Sequence, residues 1–122
     1  MRNRLILAVV EDLMFTVKIV DAAKRAGFTT VFVKSEQDAL ERAKDKPLLI
    51  IIDLNGNSFD AVDLIAKLKN GDSSKIPLIG FVSHVQGELK QRAHDAGCDM
   101  VMARSAFSQN LQQILKRHAG AA

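Results

Sequence analysis

Four apolar runs in this chain stop at residues that can do chemistry. Glu11 and Asp12 follow the run 5–10, Asp53 follows 48–52, Ser83 follows 77–82, and Arg104 follows 100–103. If these runs are strands of one parallel sheet, the residues after them meet beyond its carboxyl edge, where open α/β sheets bind their ligands. Three carboxylates, a hydroxyl and a guanidinium would then share one site. The acids repel one another unless a cation, either Arg104 or a bound ion, balances them. A hard ion such as Mg²⁺ takes few carboxylates and keeps several waters, which suits this set. A carboxylate beside such an ion can attack phosphorus. The hydroxyl and the cation can hold the phosphoryl oxygens.

The spacing between these residues supplies the elements that must position them. Leu5–Val10 has the length and continuous apolarity of a strand covered on both faces. Helical character runs from Leu13 to Ala26, with Val17, Val20 and Ala23 as the expected inner side and Gly27 as the stop. Thr29–Val33 is short and β-branched, a second strand. Ser35 opens a helix whose Asp38 lies three residues on, a weak capping box, with Ala39, Leu40 and Ala43 inward. Leu48–Ile52 is the strongest strand, and Asn55-Gly56-Asn57-Ser58 is a turn cluster. Ala61, Leu64, Ile65 and Leu68 repeat at helical spacing before Gly71. Pro77–Val82 is a fourth strand with proline at its first position. Gly87–Ala96 reads as a polar helix, Met100–Ala103 as a fifth strand, and Phe107, Leu111, Ile114 and Leu115 mark a last amphipathic helix. Strict alternation of five strands and five helices, without an internal repeat, predicts a doubly wound parallel sheet.

With the residues in this order, the chain resembles the receiver domain of bacterial two-component response regulators along its whole length. Val9-Val10-Glu11-Asp12 resembles the acidic pair that holds Mg²⁺. Ile51-Ile52-Asp53-Leu54-Asn55 resembles the strand end with the phosphorylated aspartate, and Asn55 falls where a backbone carbonyl completes the metal shell. Ile76-Pro77 through Val82-Ser83 resembles the strand that ends in a phosphoryl-contacting Ser or Thr, and Ala96-Gly97-Cys98-Asp99 the small-residue turn before strand five. The resemblance implies a flavodoxin-like (βα)₅ fold of strand order 2-1-3-4-5. It implies Asp53 as phosphoacceptor and a metal site of Glu11, Asp12, Asp53 and Asn55. The implied partner is a histidine kinase or phosphotransfer protein, and the implied docking face is the fourth helix, fifth strand and fifth helix.

Several positions depart from that pattern. Arg104-Ser105 stands where receivers carry a lysine followed by a cis-prone proline. A guanidinium is a planar fork and does not simply replace an ammonium. Arg104 is therefore either a phosphate-facing cation or one half of a fixed ion pair with Asp53 or Asp12, and its fork geometry favours the pair. Gly56-Asn57 replaces a Met-Pro pair after the acceptor, and His84 stands where a small residue usually leaves access to it. Val101 occupies the position of an inward-swinging Tyr or Phe and has no ring to move. The expectation is an atypical receiver that works by partner binding, with an altered or absent phosphorylation switch. The competing reading is a conventional Mg²⁺-dependent phosphoacceptor.

Composition bounds these readings. The chain has 122 residues, 48% hydrophobic and 25% charged, the balance of one globular domain, expected over 1–119 with a frayed tail at 120–122. The net charge of +3 is spread along the chain and lacks interleaved aromatics, which argues against direct nucleic-acid binding. The start Met1-Arg2-Asn3-Arg4 with its apolar run looks like a leader, but Glu11 and Asp12 interrupt it. No apolar run reaches the roughly 18 residues of a membrane span. The single Cys98 excludes an internal disulfide and fits a cytoplasmic protein. It is expected to pack as a small apolar residue. His84, His94 and His118 lack metal-ligand spacing and are expected at the surface. A small α/β enzyme or nucleotide binder is a further alternative, but no G-x-G-x-x-G or Walker loop is present. The expectation is a signalling module and not an enzyme.

Overall fold

A computed structural model describes residues 4–56, 59–71, 73–83 and 87–120. Asn57, Ser58 and His84 lie outside the described residues, and so do the expectations attached to them. The elements alternate without exception: β1 (Leu5–Val9), α1 (Leu13–Arg25), β2 (Thr29–Val33), α2 (Glu36–Ala43), β3 (Leu49–Asp53), α3 (Ala61–Lys69), β4 (Leu78–Val82), α4 (Gly87–Asp95), β5 (Met100–Ala103) and α5 (Arg104–Gly120). The strands form one parallel sheet in the order β2-β1-β3-β4-β5. This is the doubly wound architecture that the alternation predicts.

Strand parity divides the core into two layers. Leu7, Val9, Ile50, Ile52, Leu78 and Val82 face α2, α3 and α4, against Ala39, Ala43, Leu64, Ile65, Leu68 and Ala93. Ile6, Ala8, Leu49, Ile51, Ile79 and Phe81 face α1 and α5, against Phe15, Ile19, Ala23, Phe107, Leu111 and Leu115. The central strands β3 and β4 are buried at every residue. That is why they read as continuous apolar runs, not as alternating ones.

Local chemistry sets the helix ends. Ser35 Oγ accepts from the Asp38 amide and caps α2. Asp60 caps α3 through the Asp63 amide. Gly27 follows α1 at φ +81°, a left-handed turn that glycine adopts without strain. Gly97 does the same after α4 at φ +114°. Its Cα lies against the stem of Lys69, whose ammonium donates to the carbonyls of Ser74 and Ile76 and to Asp99.

Two expectations need correction. Val17 is 67% exposed, and the inner side of α1 is Phe15, Ile19, Ala22 and Ala23. The helix is apolar around most of its first two turns, so its period does not select a face. The aromatic packing of Phe15 decides. His118 is half-buried, and burial lowers the pKa of its imidazole. His94 is exposed. Helix α5 continues through Gly120, and residues 121–122 lie outside the described ones. Cys98 is buried with its thiol against the carbonyls of Met100 and Leu78, and burial raises its pKa. No described helix is long and apolar enough to cross a membrane.

Candidate functional site

The carboxyl edge of the sheet gathers most of the residues marked out by the sequence. Glu11, Asp12, Asp53, Asn55, Gly56, Ser83 and Arg104 line one cavity of about 330 Å³. Val101 does not belong to it. It lies half-buried on the α4 side of β5, in a separate groove with Lys90, His94 and Met100.

Asp12 lies between β1 and α1 and serves both. Its Oδ1 accepts from the amides of Met14 at 2.9 Å and Phe15 at 3.2 Å, capping α1. Its Oδ2 accepts from Arg104 Nη2 at 3.0 Å. The Phe15 amide and then the Arg104 charge, set against some desolvation, hold the Asp12 carboxyl below its usual pKa. Asp53 is the last residue of β3 and the one buried polar side chain among the described residues, 6% exposed. Its Oδ1 accepts from the Asn55 amide at 2.9 Å. Its Oδ2 lies 3.8 Å from Arg104 Nη2. Burial pushes the Asp53 carboxyl up. The Asn55 amide and the Arg104 charge oppose that shift, while Asp12 and Glu11 add to it. Asn55 reaches across to β4, where its Oδ1 accepts from the Ser83 amide at 2.6 Å.

Arg104 opens α5 directly after β5, so no loop lets it wander. Its guanidinium carbon lies 4.8 Å from the centre of the Phe15 ring and 5.6 Å from that of Phe81. Phe15 meets Phe81 edge-on at 4.5 Å, and Phe81 stacks on Phe107 at 5.1 Å. The cation therefore has carboxylates on one side and an aromatic bed on the other. Stacking of this kind suits a planar, weakly hydrated guanidinium better than an ammonium. Its Nε is buried with no hydrogen-bond partner, so Nη2 carries its contacts with the acids.

The sequence reading missed this bed. The signals lay in the spacing: Phe15 is one turn into the helix that Asp12 caps, Phe107 is one turn past Arg104, and Phe81 is two residues before Ser83 on the face that Asp53 shares. Also missed was a wider groove of about 600 Å³ between α1 and α5. It joins the acidic cavity at Asp12, Ser83 and Arg104 and is walled by Met14, Phe15, Lys18, Ser105, Ser108 and Gln109. Lys18 crosses it to donate to Ser108 Oγ at 3.2 Å. The groove is larger, but the convergent charges are in the smaller cavity.

No family sequence model matches the chain, and no curated protein is similar to it in sequence. Solved structures are similar in fold. A putative response regulator from Chloroflexus aurantiacus superposes with a TM-score of 0.84 at 18% identity, covering 98% of this chain and 99% of that one. The chemotaxis response regulator CheY4 of Vibrio cholerae gives 0.80 at 17% identity, with 93% and 97% covered. The response regulator Rcp1, solved in its Mn²⁺-bound form, gives 0.76 at 15% identity, with 93% and 89% covered. At these identities the likeness is one of fold. The chain has the flavodoxin-like fold of response-regulator receiver domains.

Proposed function

We propose that this chain is a receiver module of a two-component or phosphorelay system that acts mainly by binding a protein partner, with phosphorylation of Asp53 weak or absent. The receiver fold supports the first part. One observation carries the second: Arg104 Nη2 bonds Asp12 and faces Asp53, so two of the pocket's three acids already meet the chain's own cation. The partner on this reading is a histidine kinase or phosphotransfer protein in the cytoplasm. The docking face is built from α4, β5 and α5. Met100 there is 41% exposed beside the groove that holds Val101, Lys90 and His94. A valine at 101 has no ring with which to report the state of the pocket, so the surface is read in one state. The module signals without itself catalysing a reaction.

A second reading, Asp53 as a working phosphoacceptor, has its own support. Asp53 is a buried carboxylate at a strand end, with one oxygen fixed by the Asn55 amide and the other turned toward a cation. One assay separates the two. The chain and its Asp53→Asn variant are incubated with Mg²⁺ and acetyl phosphate, and their intact masses are measured. The proposal expects no stable adduct on either. An adduct on the wild type that is missing from Asp53→Asn overturns it in favour of the phosphoacceptor.

A further inference from the structure

Asp12 and Asp53 together offer four carboxylate oxygens to the cavity, and none of the four is without a neighbour. Oδ1 of Asp12 takes the two amides that open α1, and Oδ1 of Asp53 takes the Asn55 amide. The two Oδ2 atoms both face a single nitrogen, Arg104 Nη2, at 3.0 and 3.8 Å. An octahedral Mg²⁺ needs oxygens at about 2.0–2.1 Å around one point. To bridge this pair it would have to take the space of that nitrogen. No three described His, Cys, Asp or Glu side chains converge as a metal-binding group. The residues as arranged do not fit the divalent ion that the receiver fold implies.

The guanidinium is also hard to evict. An arginine does not leave by losing its proton, as a buried lysine can. Withdrawal would lift it off the Phe15 and Phe81 rings as well as from Asp12. We infer that Arg104 is the permanent counter-ion of this pocket, occupying the place of a divalent metal, and that its side chain alone keeps a latent Asp12–Asp53 metal site closed. Phe15 is then a positioning residue, because it holds the guanidinium against the acids.

The inference rests on the receiver reading only in its choice of ion. It is tested without phosphoryl donor or partner, so it stands or fails separately from the phosphorylation assay. Amide NMR spectra of wild type, Arg104→Gln, Arg104→Ala, Phe15→Leu and the double variant Arg104→Gln/Asp53→Asn are followed while Mg²⁺ is added, with Mn²⁺ broadening as a second readout. Glutamine keeps part of the stem and an uncharged polar end, two atoms shorter, if alanine prevents folding. Arg104→Gln should bind at least about tenfold more tightly than wild type, the factor expected when the ion pair with Asp12 and the cation–π contacts with Phe15 and Phe81 no longer have to be given up together. The shifts should centre on Asp12, Asp53 and Asn55. Phe15→Leu should shift binding in the same direction by less, and the double variant should lose the gain. Wild-type binding as tight as that of Arg104→Gln overturns the inference. So does a folded Arg104→Gln that gains nothing.

Discussion

Replacing Arg104 with alanine removes three things at once, and their sizes differ. The hydrogen-bonded pair with Asp12 is partly solvated, with the two side chains 35% and 37% exposed, so it contributes no more than about 1 kcal/mol. The cation–π contacts with Phe15 and Phe81 contribute about 0.5–1 kcal/mol each at this exposure. The third loss is indirect: Asp53, its side chain 9% exposed, is left with like charges nearby and no cation. The expected cost is about 2–3 kcal/mol at neutral pH, below the 3–5 kcal/mol of breaking a fully buried pair. Its pH dependence carries the sharper signature. Burial already raises the Asp53 pKa, and removing Arg104 raises it further. A raised folded-state pKa means that ionised Asp53 costs stability above that pKa, and the cost disappears as pH falls through it. Asp12 behaves oppositely. Its pKa is lowered by the Phe15 amide and by Arg104, so the stability it adds is present at neutral pH and is lost on acidification. Both effects make the gap between wild type and Arg104→Ala widest at neutral pH and narrower as the acids protonate. Urea denaturation followed by circular dichroism measures it, since the chain has no Trp or Tyr. Arg104→Met separates charge from stem. A gap that stays constant with pH, or no loss at neutral pH, refutes the reasoning.

Other substitutions follow from the same geometry. Asp53→Asn keeps an acceptor for the Asn55 amide and removes a desolvated charge, so it should be more stable than wild type at neutral pH. That advantage should shrink toward acid, as denaturation curves at several pH values would show. Asp12→Ala should cost about 1–2 kcal/mol through the lost cap of α1, and Asp12→Asn should recover part of it. Amide exchange at Met14 and Phe15 would show whether the loss is local to that cap. Lys69→Met should cost about 2–3 kcal/mol, because the ammonium, 12% exposed at the side chain, satisfies two carbonyls and Asp99. Thermal unfolding would detect the drop.

The fold was legible because burial is written directly into the central strands. Leu49–Ile52 and Leu78–Val82 are covered on both faces, and nothing polar interrupts them until Asp53 and Ser83. Helix α1 was legible as a helix but not as an orientation. Leu13, Met14, Phe15, Val17, Ile19 and Val20 surround it with apolar side chains, and contacts with Phe81 and Phe107, distant in sequence, turn Phe15 inward. The site was legible as a set of strand-end charges, since parallel topology alone brings Asp12, Asp53, Ser83 and Arg104 together. The pairing within the set was not. Asp53 sits deeper than Asp12, so the guanidinium that reaches both bonds the shallower one, and only packing decides that depth. Val101 follows its strand to the opposite face, in a groove the charges do not enter.

The pocket is closed by its own guanidinium. Crystals grown in MnCl₂ and measured at a wavelength where manganese scatters anomalously test it most directly. No anomalous peak is expected at coordination distance from Asp12 and Asp53, and Arg104 Nη2 should remain within hydrogen-bond reach of Asp12 Oδ2. A peak between the two carboxylates, with Arg104 swung off the Phe15 and Phe81 rings, would contradict it.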